Sequence, residues 1–184
     1  MYIYLTLPLT VLFIGCNTPT PKTATCAYMP KDDIKHSSEF SSQGECGKFI
    51  DEDTLVLYPK HFKNLNFDKS NFTTLYAKNG EDGERRVFYV SKSGKVVRTF
   101  FFDNGADYFE EGLARTLAKK KFGFINEKLE VVIEPRFDFA FPFENGKARV
   151  CNGCTQKQDG EHSMMVGGKW GIIDKNGRLI SPMK

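Results

Sequence analysis

Residues 169–182, KWGIIDKNGRLISP, hold the only tryptophan of a 184-residue chain, and it stands directly before a glycine. On an extended strand side chains alternate between faces, so Trp170 and Ile172 share one face and Gly171 and Ile173 the other. Asp174-Lys175-Asn176-Gly177 then supplies turn chemistry, with Gly177 suited to positive φ. Leu179-Ile180 resumes an apolar strand. The stretch therefore predicts a β-hairpin. An indole buries a large apolar area, and a glycine beside it lets a neighbouring strand approach the backbone. The expectation is that Trp170 packs into a core and that another strand lies close to Gly171.

The same pattern occurs twice upstream. Phe122-Gly123-Phe124-Ile125-Asn126-Glu127-Lys128-Leu129-Glu130-Val131-Val132 begins 48 residues before Trp170, and Val87-Phe88-Tyr89-Val90-Ser91-Lys92-Ser93-Gly94-Lys95-Val96-Val97 begins 35 residues before Phe122. Each reads apolar strand, polar turn, apolar strand. A second element follows two of them. Residues 106–115, ADYFEEGLAR, match residues 140–149, AFPFENGKAR, at a spacing of 34. Self-similarity at such periods marks a repeat architecture.

Trp170-Gly171 with Ile173-Asp174 and Gly177, together with Phe143, Gly146 and Ala148, resembles the bacterial WG (KWG) repeat. The resemblance spans residues 86–184. In the middle unit Phe122-Gly123 stands for the Trp-Gly pair and Leu129 for the turn glycine. The first unit lacks the pair, and residues 67–80 form a weaker copy still. The resemblance implies short antiparallel strands in successive hairpins. It implies no single activity, and it points to binding or scaffolding in exported proteins.

The composition agrees with strands. Aromatic residues make up 14% of the chain, with 17 phenylalanines, and such side chains favour sheets. Apolar alternation predicts strands at 54–58, 85–91, 95–102, 113–117, 121–126, 130–134, 147–151 and 170–174. A short helix over residues 108–118 is the alternative there, and Gly112 argues against it. The fold class expected is all-β: antiparallel hairpin repeats at 54–184, preceded by an irregular, disulfide-linked region at 26–53.

The apolar run 1–15 carries no charge and fits a secretory signal peptide. Its end, Leu12-Phe13-Ile14-Gly15-Cys16, resembles a lipobox, which implies lipidation at Cys16. Residues 16–25 are rich in Pro and Thr and read as a tether. Asn17 after the cysteine favours the outer over the inner membrane by that resemblance. The other four cysteines, Cys26, Cys46, Cys151 and Cys154, suit an oxidising compartment. The most local pairing is Cys26–Cys46 with Cys151–Cys154, the latter around the turn signal Asn152-Gly153.

The net charge of +3 is spread without a basic stripe, which excludes nucleic acid as the expected partner. Lys119-Lys120-Lys121 reads as a solvated strand edge. No catalytic set, metal site or cofactor motif is expected. Cys151-x-x-Cys154 with His162 falls one ligand short of a structural zinc site and lacks the helical setting of a redox pair. Asp103-Asn104-Gly105 and Asp174–Gly177 read as turns rather than calcium loops. Glu110 and Glu111 are the candidate carboxylate pair for glycoside hydrolysis. The insert 151–168 is the candidate binding loop, through His162, Met164, Met165 and Val166, because long loops are often functional and Met adapts to partners. The other reading is an extended hairpin. The expected function is a non-enzymatic binding or scaffolding module, lipid-anchored in the cell envelope, with an envelope protein or glycan as partner. An envelope hydrolase or carbohydrate-active enzyme, and an immunity protein against a delivered toxin, are the alternatives.

Overall fold

The computed structural model describes residues 20–31, 41–67, 71–80, 83–160 and 162–184. The stretch 1–15 and Cys16 lie outside the described residues. The strands are β1 (Lys22–Tyr28), β2 (Ser41–Phe49), β3 (Leu55–Leu57), β4 (Phe72–Asn79), β5 (Arg85–Ser91), β6 (Val96–Thr99), β7 (Phe101–Phe102) and β8 (Gly105–Ala106). They continue as β9 (Leu113–Ala118), β10 (Lys121–Asn126), β11 (Val131–Phe137), β12 (Phe139–Ala140), β13 (Lys147–Asp159), β14 (His162–Asp174) and β15 (Leu179–Ser181). One short helix, α1 (Pro59–Asn64), follows β3 and starts with proline, whose fixed φ suits a first turn.

Nine strands form one sheet in the order β11-β10-β9-β6-β5-β4-β1-β2-β3, four form a second in the order β12-β13-β14-β15, and β7 and β8 pair alone. All pairings are antiparallel. The all-β expectation holds. The boundaries of the N-terminal part do not. The stretch expected to be irregular, 26–53, supplies the end of β1 and all of β2, and β1 already starts at Lys22 inside the expected tether. Thr and Ala there alternate with Ala24, Cys26 and Tyr28, which are buried, so a β-rich strand hides in a run of small residues. Cys26 and Cys46 join β1 to β2, with Cα atoms 5.7 Å apart.

The three repeat hairpins share one turn. Ser91 N–H donates to Lys95 O, Asn126 N–H to Glu130 O, and Asp174 N–H to Arg178 O. The tight reverse bond also recurs, from Gly94, Leu129 and Gly177. Each of those three residues has positive φ, at 90°, 58° and 78°. Leucine pays strain there, but its side chain is fully buried with Tyr89, Ala114 and Ile125. Burial of such a side chain contributes about 1.5–3 kcal/mol, more than the αL cost of about 1–2 kcal/mol. That explains why the middle unit tolerates a leucine in the glycine position.

The second and third hairpins also share a register. Phe124 pairs with Ile133 and Ile125 with Val131; 48 residues later Ile172 pairs with Ser181 and Ile173 with Leu179. In the middle unit Phe122 pairs with Phe137, so Gly123 alone faces residues 134–136. This bulge brings backbone over the glycine. A Cβ at Gly123 would sit 2.3 Å from Ile133 O, and one at Gly171 would sit 3.0 Å from Ser181 O. The first unit has Phe88 at this position and pairs without a shift.

The main core around the repeats joins the two sheets. Leu113, Phe124, Ile133 and Phe137 from the nine-stranded sheet pack with Ala140, Phe143, Ala148, Val150 and Ile173. Arg115 is buried beside them. Its guanidinium pairs with Asp107, donates to Ala140 O at 3.1 Å, and lies over Phe100 at 4.6 Å, so its charge and donors are met inside the protein.

Candidate functional site

The register of the four-stranded sheet sorts its side chains into two faces. Ala140, Ala148, Val150, Gly171 and Ile173 point to the core and are buried. The opposite face carries two rows. Across the strands Phe139 lies beside Cys151 and Cys151 beside Trp170. In the next row Phe141 N–H donates to Arg149 O, and Arg149 lies beside Ile172. Phe141 is 41% exposed and Arg149 is exposed, while Phe139, Trp170 and Ile172 are half-buried. Apolar residues therefore occupy both faces of this sheet; on the second face Cys151 is buried while Phe141 and Arg149 are exposed.

Trp170 is thus not the core residue expected from the sequence. Its strand neighbours Gly171 and Ile173 take the inward face, which places the indole outward by alternation. The ring is nonetheless held. Its Nε1–H donates to Gly167 O at 2.9 Å, the Arg149 guanidinium lies 4.2 Å from its centroid, and Phe141 packs at 6.0 Å with a 35° tilt. The indole N–H is consumed within the chain, so this ring offers its apolar surface rather than a donor. Phe139 meets Phe141 at 5.1 Å and the buried Phe122 at 5.3 Å. Aromatic contact therefore runs from the core of the middle repeat to the surface of the last.

Beside the rings lies an open trough of about 660 Å³. Phe141, Pro142 and Ile172 form apolar parts of its lining, and Glu110, Glu144, Lys147 and Arg149 its charged parts. Glu110 and Glu144 are repeat equivalents, each in an isolated bridge across a two-residue turn, to Leu113 and Lys147 respectively. The turn residues Glu111-Gly112 and Asn145-Gly146 all have positive φ, the geometry that matches strand twist. The Glu111 carboxylate accepts from Gly146 N–H at 3.0 Å and pairs with Lys175 at 2.9 Å. It ties three repeat units together at this end of the trough.

Of the candidate pair Glu110 and Glu111, the second is held by this bonding. The Lys175 hydrogen bond, with the Gly146 and Asn145 N–H groups, holds the Glu111 carboxyl below its ordinary range despite some desolvation. Asp138 is likewise held down, by Gly153 N–H first and by Lys121. At Asp51 burial pushes upward, and the hydrogen bonds from Asp53 and Thr54 outweigh it. The shifted carboxyls among the described residues are thus those held in the ionised form, the opposite of what a general acid needs.

The insert 151–168 is a paired ribbon rather than a loop. β13 and β14 stay in one register from Lys147↔Asp174 to Asp159↔His162. Beyond Cys151 and Trp170 no third strand pairs with either among the described residues. Asn152-Gly153, expected as a turn, lies mid-strand opposite Lys169 and Gly168. Gly153 and Gly168 face each other with φ of 77° and 68°, and a Cβ at Gly168 would lie 2.4 Å from Cys154 N. Cys151 and Cys154 stand at disulfide separation across this kink, with Cα atoms 6.1 Å apart. Met164 is 50% exposed on the ribbon, and Met165 and Val166 are half-buried. His162 enters through its strand pairing alone. No group of His, Cys, Asp and Glu able to hold a metal occurs among the described residues.

Sequence reasoning missed Phe141 and Arg149 as surface residues. The signal was the period of two in 139–141 and 147–151, where Ala140, Ala148 and Val150 take one face and Phe139, Phe141 and Arg149 the other.

Residues 122–153 and 170–184 match the family described as WG containing repeat. No curated protein and no solved structure matches the chain.

Proposed function

We propose that this chain is a non-enzymatic binding module of the bacterial cell envelope, anchored by a lipid on Cys16. Its binding face is the outer side of the four-stranded sheet. One observation carries the reading: the exposed Phe141 and Arg149 are held against the half-buried ring of Trp170, a pre-positioned cluster at the surface of the sheet. Trp and Arg are the residues that carry most binding energy where they are held rigidly. The ribbon carries the exposed Met164 with the half-buried Met165 and Val166, adaptable apolar surface of its own. The apolar segment 1–15 and the lipobox-like Leu12–Cys16 support export, and two cysteine pairs at disulfide separation fit an oxidising compartment.

The test has two parts. Cys16→Ser should move the protein from the membrane to the soluble fraction or stall its processing. Full-length protein should capture envelope components that a Phe141→Ala, Arg149→Ala double variant does not. A Cys16→Ser variant that is processed and membrane-bound like the parent would refute the anchor. Equal capture by the double variant would refute the face.

A further inference from the structure

We infer that the ligand of this face is a saccharide with little net charge. The assignment rests on the binding reading above and goes beyond it. The trough of about 660 Å³ lies within the range of small-ligand sites. A stable protein interface engages roughly 20–30 residues a side, several times what this patch presents.

The charges narrow the chemistry. Glu110, Glu144, Lys147 and Arg149 line the same trough, so two carboxylates balance two cations. No net field is left to gather a polyanion or a polycation. Donors and acceptors together in one trough suit hydroxyl groups, each of which both donates and accepts.

The rings narrow it further. A pyranose presents C–H bonds on its face and hydroxyls around its rim. It can therefore lie on an aromatic ring and hydrogen-bond sideways in one pose. Phe141 supplies an exposed ring and Trp170 a second within 6.0 Å. The indole N–H is already bonded to Gly167 O and the Arg149 guanidinium lies over the indole, so Phe141 is the ring left open for stacking and Trp170 the neighbour that reports it.

Trp170 is the only tryptophan, so its emission reports on this surface alone. Full-length protein is titrated with cellotetraose and with chitotetraose, and in parallel with a neutral Gly-Ser-Pro decapeptide. At least one tetrasaccharide should shift Trp170 emission saturably, with a dissociation constant of about 1 mM or tighter. Phe141→Ala should weaken that binding about tenfold while leaving the thermal midpoint within a few degrees of the parent. Silence of both sugars, or equal binding by Phe141→Ala, overturns the saccharide assignment. If the sugars are silent while capture from envelope extracts still depends on Phe141, the saccharide is wrong and the binding face survives. If neither readout depends on Phe141, both fall.

Discussion

Phe122-Gly123 and Trp170-Gly171 occupy the same place in two hairpins of matching register, yet the aromatic residues end in different surroundings. Phe122 is 7% exposed and is enclosed by Phe100 and Phe139. Trp170 is half-buried on an outer face, under an arginine. The two glycines do not diverge. Each lies under backbone from the chain that follows, too close for a Cβ at Gly123 and tight for one at Gly171. The glycine is therefore the architectural half of the pair. The aromatic half is structural where another sheet covers it and free for other work where none does.

The largest expected contrast is between the two rings. Phe122→Ala should cost about 3–5 kcal/mol, the usual loss for a core phenylalanine. Trp170→Ala should cost about 1–2 kcal/mol, because a half-buried ring leaves no closed cavity. Urea midpoints of the two variants measure this, and equal losses would erase the distinction.

The glycines should differ by less and in a set order. Gly123→Ala places Cβ against backbone at 2.3 Å, which flexible side chains cannot relieve, whereas Gly171→Ala meets its nearest atom at 3.0 Å. The first should cost about 3 kcal/mol and the second about 1 kcal/mol. The reverse order in calorimetry would mean that the bulge is not what the middle glycine serves.

A smaller effect should appear at Glu111, which ties the units together. Its folded pKa is depressed by Lys175 and the Gly146 and Asn145 N–H groups. Its contribution is therefore present above the ordinary carboxylate range and is lost as pH falls through the folded value. Glu111→Gln should lower stability near neutrality slightly and reduce the loss of stability below about pH 4.5. An acid unfolding curve parallel to that of the parent would remove Glu111 from the account.

How much of this was legible follows from the same physics. The hairpins at 122–134 and 170–180 were readable because each sets short β-rich apolar runs on either side of a polar turn. β1 and β2 were not, because their inward residues include Ala24, Cys26 and Cys46, too small or too ambiguous to stand out from Thr, Ser and Gly. The outer half of the β13–β14 ribbon was not readable as strand either. Thr155, Gln156, Lys157 and Gln158 are all exposed, so nothing forces alternation. The side on which Trp170 lies was hidden for a third reason. Both faces of that hairpin carry apolar residues, and which one is covered depends on how the second sheet packs on the first, a tertiary choice that local pattern does not encode.

The most direct measurement is collisional quenching of the single tryptophan by acrylamide in the folded full-length protein. Trp170 should be quenched with a constant well above that of a core indole and below that of the urea-unfolded chain, with Arg149→Ala raising it further by uncovering the ring. Quenching as weak as that of a fully enclosed tryptophan, unchanged by Arg149→Ala, would contradict an outward-facing indole and with it the division of labour between the two repeats.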